Sequence, residues 1–267
     1  MDMSLSSRLR SLQGPWRKPA AALPSTCGRT VVAVGDIHGR LDLLDSLLDQ
    51  ILEEIVGVDG AIRPMLIFVG DYVDRGPASK GVIDRIIDLG RRPDLEVQAL
   101  KGNHEEALLA FLEDPGFGVM WCEQGGAQTL ASYGVAAPRL ASDDKGWEAA
   151  RAAFDRALPI EHKKFLATLD LTATVGDYVF VHAGLRPGVP LAAQSEHDLL
   201  WIRQDFLYAP GPFEKVVVHG HTPETEPFLG LLRIGIDTGA YATGVLTAVV
   251  LRGTERSLMQ SRLARAD

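Results

Sequence analysis

Three apolar runs in the N-terminal half of the chain each stop at a glycine and give way to a polar cassette. Thr30-Val31-Val32-Ala33-Val34 leads into Gly35-Asp36-Ile37-His38-Gly39. Met65-Leu66-Ile67-Phe68-Val69 leads into Gly70-Asp71-Tyr72-Val73-Asp74-Arg75-Gly76, and Leu95 to Leu100 leads into Gly102-Asn103-His104-Glu105. Short runs of β-branched and apolar residues read as buried strands. Leu41, Leu43, Leu44, Leu47, Leu48, Ile51, Leu52 and Ile55 recur at helical spacing, with acidic residues on the opposite face. Ser79 to Leu89 and Glu105 to Leu112 predict two further helices. The order β-α-β-α-β-α implies an α/β fold, with parallel strands covered by helices. Ligands of such sheets gather at the carboxyl ends of the strands, where all three cassettes fall.

Residues from about 113 to 170 change character. Pro115, Gly116, Gly118, Gly125 and Gly126 interrupt short helical pieces, so a helical insertion is expected there. Strand patterns return at Tyr178 to Val181, Lys215 to Val218, Leu232 to Ile236 and Leu246 to Leu251, with few helices between them. The second half should therefore build a more mixed sheet. Arg252 to Asp267 is charged and reads as a solvated end. The whole is expected to form one domain over residues 29–267, preceded by a basic tail over residues 1–28 that holds Arg8, Arg10, Arg17 and Lys18 but only one acid, Asp2.

Composition narrows the partners. The chain has 267 residues and a formal net charge of −8, which disfavours a broad nucleic-acid surface while leaving room for a local cationic pocket. No apolar stretch approaches the roughly 20 residues of a membrane helix, so no membrane partner is expected. Cys27 and Cys122 lie far apart in no metal-like spacing, which suits a reducing, cytoplasmic setting.

Two strand ends in the second half extend the cassette pattern: Phe180-Val181-His182-Ala183-Gly184 and Val218-His219-Gly220-His221-Thr222-Pro223. Five of the seven histidines (His38, His104, His182, His219 and His221) fall in these motifs. Carboxylate, amide and imidazole donors gathered in this way suit a pair of divalent metals. Asp36, Asp71 and Asn103 could each cap a following helix; the histidines in the same cassettes favour ligation.

The motifs GDIHG, GDYVDRG, GNHE, HAG and GHT, spread from Val31 to Leu251, resemble the phosphoprotein phosphatase branch of the calcineurin-like metallophosphoesterases. Gln124-Gly125-Gly126, Ser132-Tyr133-Gly134 and Leu200-Trp201-Ile202-Arg203 are similar to its small bacterial members. The resemblance implies a sandwich of two mixed β-sheets flanked by helices. It implies that Asp36 and His38 hold one metal, that Asp71 bridges two, and that Asn103, His182 and His221 complete the second site. Two divalent ions, Mn in the first place with Fe or Zn as alternatives, would share a water that attacks phosphorus in line. His104 would be the general acid and Asp74 its orienting carboxylate, while Arg75 and Arg203 would grip phosphate oxygens.

The remaining polar residues draw more modest expectations. His219 shares a strand face with His221 and reads as a supporting or packing residue. Glu105, at a helix start, is assigned a structural role. Tyr241 is either at the pocket rim or an ordinary loop tyrosine. His162 and His197 lie outside every cassette and are expected at the surface. The activity implied is a Ser/Thr protein phosphatase acting on phosphoproteins or phosphorylated small molecules without a regulatory subunit. The alternative is a symmetrical bis(5'-nucleosyl)-tetraphosphatase, which shares nearly all the cassettes.

Overall fold

The computed structural model describes residues 23–55 and 62–262. Most of the basic tail expected over residues 1–28 therefore lies outside the described residues. Among the latter, ten strands form two five-stranded sheets. The first has the order β10-β9-β1-β2-β3, from β1 (Thr30–Val34), β2 (Met65–Phe68), β3 (Glu96–Ala99), β9 (Val245–Arg252) and β10 (Glu255–Arg262). The second has the order β4-β5-β6-β8-β7, from β4 (Thr172–Val175), β5 (Tyr178–Val181), β6 (Val216–His219), β7 (Phe228–Leu229) and β8 (Arg233–Gly235). Strands β1, β2 and β3 run parallel, as do β5, β6 and β8, and antiparallel strands flank each set. Both sheets are thus mixed, as the resemblance implied.

The period-2 alternation of β1 shows how the layers form. Val31 and Ala33 point into an apolar layer shared with Tyr178, Phe180, Val218 and Ile234 of the second sheet. Val32 and Val34 point the other way, into a core with α1 (Leu41–Ile55) and α2 (Ser79–Gly90). The apolar stripe of α1 buries Leu43, Leu44, Leu47, Leu48 and Ile51, each side chain contributing about 1.5–3 kcal/mol relative to exposure. Helix α3 (Asn103–Glu113) follows β3. The outer face of the second sheet is covered by Leu185, Leu199 and Phe206, the last two on α8 (Glu196–Trp201) and α9 (Gln204–Leu207).

Residues between α3 and β4 fold into α4 (Gly118–Trp121), α5 (Ala127–Ser132), α6 (Asp144–Ala157) and α7 (Ile160–Ala167). Their aromatic residues Trp121, Trp147 and Phe154 cluster on Phe111 of α3, so this segment shares the core of the first sheet. No helix among the described residues is long and apolar enough to cross a membrane.

Two expectations are overturned. The end read as solvated contains β10, an eight-residue edge strand that pairs with β9 along its length and buries Ser261. Its alternation of polar and half-buried positions carries little apolar signal because one side of it faces water. His162 is buried rather than superficial: Tyr133 Oη lies 2.8 Å from its Nδ1 and Asp84 Oδ1 lies 2.8 Å from its Nε2. Those partners come from α5 and α2, remote in sequence.

Candidate metal centre

Asp71 joins the cassettes. Its backbone carbonyl accepts the N–H groups of Ile37 at 3.0 Å and His38 at 2.9 Å, lacing the loops after β1 and β2 together. Its carboxylate then faces two ways. Oδ2 lies 3.5 Å from His38 Nε2 and 3.9 Å from His104 Nε2, whereas Oδ1 lies 3.4 Å from His182 Nε2. Two buried groups that could hold a metal follow, His38/Asp71/His104 and Asp71/His182/His221, with Asp71 in both. Burial opposes ionisation of Asp71, but the surrounding histidines hold its carboxyl well below the usual range.

The donor chemistry fits cations. His182 Nδ1 donates to the Val69 carbonyl at 2.9 Å, and burial lowers the pKa of the ring, so Nε2 carries a lone pair. That lone pair lies 2.8 Å from Asn103 Oδ1, itself an acceptor, and His221 Nδ1 lies 2.8 Å from the same oxygen. An imidazole lone pair and an amide oxygen are donor types that a divalent ion takes together. His38 follows the same rule: Nδ1 bonds the Val73 carbonyl at 2.9 Å, and burial holds the pKa down to about 3. Asp36 is buried, accepts the His221 N–H at 2.9 Å on Oδ2, and has no partner for Oδ1. Burial, then Asp237 and Asp71, push its pKa well up, a repulsion that a cation would relieve.

The six predicted ligands therefore lie together, with one difference in grouping. His104 stands with His38 and Asp71, while Asp36 is turned toward the backbone of His221. None of Asp36, Asp71 and Asn103 takes the cap position of the helix that follows it: α1 begins at Leu41, Ala78 opens α2 and Gly102 opens α3, although Asp71 Oδ1 does accept the N–H of His104 in the first turn of α3 at 3.1 Å. Asn103 and His104 sit in the first turn of α3, two residues earlier than the sequence pattern suggests. Backbone strain concentrates here as well. Six non-glycine residues among those described have positive φ, and five are His38, Asp71, Asp74, Arg75 and His221.

Around the ligands stands a second set of groups. Asp74 is fully buried and lies 2.6 Å from His104 Nδ1. It also accepts from Trp121 Nε1 at 2.9 Å and from Thr129 Oγ1 at 2.7 Å, both on the helices after α3. Burial works to lower the His104 pKa, but the charge of Asp71 and the bond to Asp74 outweigh it, and the net shift is upward. Glu105 accepts the N–H groups of Asp71, Tyr72 and Gly102 at 2.8–2.9 Å, which pins the second cassette to the third; burial and then Asp71 raise its pKa to about 7. That is the structural role expected of it.

Arg75 spreads its guanidinium between His38 Nε2 and His104 Nε2, each at 3.1 Å. Arg203, ahead of α9, donates to the His221 carbonyl at 2.9 Å and to Thr222 Oγ1 at 3.2 Å. Both arginines thus stand beside the histidines. His219 does not join them: Arg233 lies 3.3 Å from its Nε2, and its ring meets Phe206 edge-on at 5.0 Å. Tyr241 reaches the rim, with the Arg75 guanidinium 4.4 Å above its ring. Trp121 and Thr129 escape sequence reasoning because nothing in an interrupted helical segment announces a bond to a distant carboxylate; Gln124-Gly125-Gly126 is the nearest signal.

Comparison with known proteins agrees with this geometry. A family model described as calcineurin-like phosphoesterase matches residues 29–244. Over 237 residues, 81% of this chain and 88% of the relative, the sequence is 29% identical to the asymmetrical bis(5'-nucleosyl)-tetraphosphatase PrpE of Anoxybacillus flavithermus. Over 98 residues, 37% of this chain and 39% of the relative, it is 41% identical to serine/threonine-protein phosphatase 2 of Escherichia coli. A crystal structure of a protein provisionally called a diadenosine tetraphosphatase superposes with a TM-score of 0.59 at 20% identity, covering 91% of this chain and all of that one, a likeness that bears on the fold alone. With a laced pair of histidine–aspartate groups at the sheet edge and a family model spanning most of its length, the chain belongs to the calcineurin-like phosphoesterases and is a metal-dependent hydrolase of phosphoric esters.

Proposed function

We propose that the chain is a Ser/Thr protein phosphatase. In this reading Asp36, His38, Asp71, Asn103, His182 and His221 hold two divalent ions, Mn in the first place. When bound, the ions supply Lewis-acid charge that makes water acidic and neutralises phosphate. The protein's own groups do the rest. Arg75 and Arg203 leave their histidine and carbonyl partners and grip the phosphate oxygens, for which the planar fork of arginine is suited. The departure of Arg75 frees His104 Nε2, the acceptor of its N–H, to take up a proton from solvent and pass it to the leaving oxygen, while Asp74 holds the ring at Nδ1.

The observation that carries this reading is the 2.6 Å contact between His104 Nδ1 and Asp74 Oδ2. A serine or threonine alkoxide is a poor leaving group and needs a proton as the bond breaks, whereas a nucleoside polyphosphate leaves readily as an anion. A histidine with a buried carboxylate behind it suits the former. A second reading, hydrolysis of dinucleoside polyphosphates, is favoured by the PrpE relative, whose similarity spans four-fifths of the chain.

Turnover of Mn-loaded protein on a phosphothreonine peptide and on diadenosine tetraphosphate separates the two. The first reading expects a higher kcat/KM on the peptide. A strong preference for the nucleotide overturns it, and the products, two ADP or ATP with AMP, then distinguish symmetrical from asymmetrical cleavage.

A further inference from the structure

We infer that Tyr241 is a positioning residue for the phosphate grip: its ring is the shelf on which the Arg75 guanidinium lies. This rests on the reading that Arg75 binds phosphate. Arg75 starts from left-handed backbone, with φ at 65°, and its side chain reaches into the centre with nothing covalent to fix its far end. The guanidinium lies 4.4 Å from the centroid of the Tyr241 ring, which meets His38 edge-on at 5.3 Å. A ring face presents negative potential, so it holds a cation without consuming any of its N–H donors. The donors that reach His38 and His104 here are engaged by neutral rings and not by a carboxylate, so an anionic phosphate can draw them away while the ring face still supports the guanidinium.

The ring itself is held. Tyr241 belongs to α10 (Ala240–Thr243), a single turn closed at both ends by glycines in left-handed conformation, Gly239 at φ 65° and Gly244 at φ 70°. Thr243 Oγ1 donates back to the Thr238 carbonyl at 2.8 Å. Arg40, which follows the first cassette, donates from Nη1 to the Ala240 carbonyl at 2.8 Å while Asp42 secures its other nitrogens. The turn is therefore tied to the loop that carries His38. Tyr241 remains 40% exposed, which puts this shelf at the mouth of the centre, where an incoming phosphate would meet Arg75.

The inference is tested with Tyr241→Phe, which keeps the ring, Tyr241→Leu, which removes it, Arg75→Ala, and the double variant Arg75→Ala/Tyr241→Leu. Competitive inhibition by inorganic phosphate of Mn-loaded protein, with p-nitrophenyl phosphate as reporter, gives the inhibition constant; circular dichroism and metal content check each variant. Tyr241→Leu should weaken phosphate inhibition about two- to fivefold, and Tyr241→Phe should stay within about twofold of the parent. In the Arg75→Ala background, Tyr241→Leu should add nothing. An equal loss in both backgrounds, a loss with Tyr241→Phe matching that with Tyr241→Leu, or no loss with Tyr241→Leu overturns the inference. If Arg75→Ala itself leaves phosphate inhibition unchanged, it is the assignment of Arg75 as a phosphate grip that falls.

Discussion

His104 and Asp74 meet through Nδ1 and Oδ2 at 2.6 Å, both side chains out of solvent. The contact fixes which ring nitrogen of His104 is turned to the metal centre. It follows that His104→Asn, which cannot donate a proton from that position, should bind metal as the parent does. Its kcat on a phosphothreonine peptide should fall by about 10²- to 10⁴-fold, and by less on p-nitrophenyl phosphate, whose leaving group is more acidic. Equal losses on both substrates would remove the general-acid assignment.

Thr129 gives Asp74 one hydrogen bond and takes another from its backbone N–H at 2.8 Å. Thr129→Val keeps the shape and loses both. The variant should be less stable by about 1–3 kcal/mol, because the buried Asp74 Oδ1 loses its hydrogen bond while the Asp74 N–H keeps only Ser79 Oγ at 3.1 Å. It should also turn over more slowly as His104 loses its fixed support. Urea denaturation and kcat measure the two effects separately; an unchanged denaturation midpoint would contradict the first.

Asp71 is the residue both metal groups share. Asp71→Asn should lower the metal content per chain after gel filtration, read by plasma mass spectrometry. It should also reduce kcat on p-nitrophenyl phosphate by about a hundredfold or more, since several kcal/mol of charge stabilisation depends on the ions. Full metal content in this variant would rule out Asp71 as a shared ligand.

Gly125 lies against the backbone of Arg75. Its φ is 113°, its carbonyl accepts the Arg75 N–H at 3.2 Å, and a Cβ there would come within 2.6 Å of the Arg75 nitrogen. Gly125→Ala should cost about 1–3 kcal/mol in stability and raise KM for phosphate esters, because the loop carrying Arg75 must shift. A variant with parent KM would show that this contact does not set the position of Arg75.

Much of the centre was legible in the chain because its proposed ligands follow strands. A buried strand declares itself by β-branched and apolar content, and the residue after it lands at the sheet edge. The strand pattern alone puts Asp36, Asp71, Asn103, His182 and His221 at that edge. The supports were not legible. Trp121 and Thr129 reach Asp74 from helices 47 and 55 residues further on, and their roles depend on how those helices dock. His162 looked superficial because burial is a property of the partners, Tyr133 and Asp84, and not of the residue. Strand β10 was missed because an edge strand needs apolar residues on one side only.

The proposed ligands come from both layers of the sandwich. Asp36, Asp71 and Asn103 follow strands of the first sheet, and His182 and His221 follow strands of the second. Ions held between them would be fasteners across the apolar seam as well as reagents. Folding and metal uptake are then thermodynamically linked: each ion that binds the folded chain and not the unfolded one adds stability that grows with its concentration. The spacing of the two sheets becomes a quantity that the catalytic centre both requires and enforces.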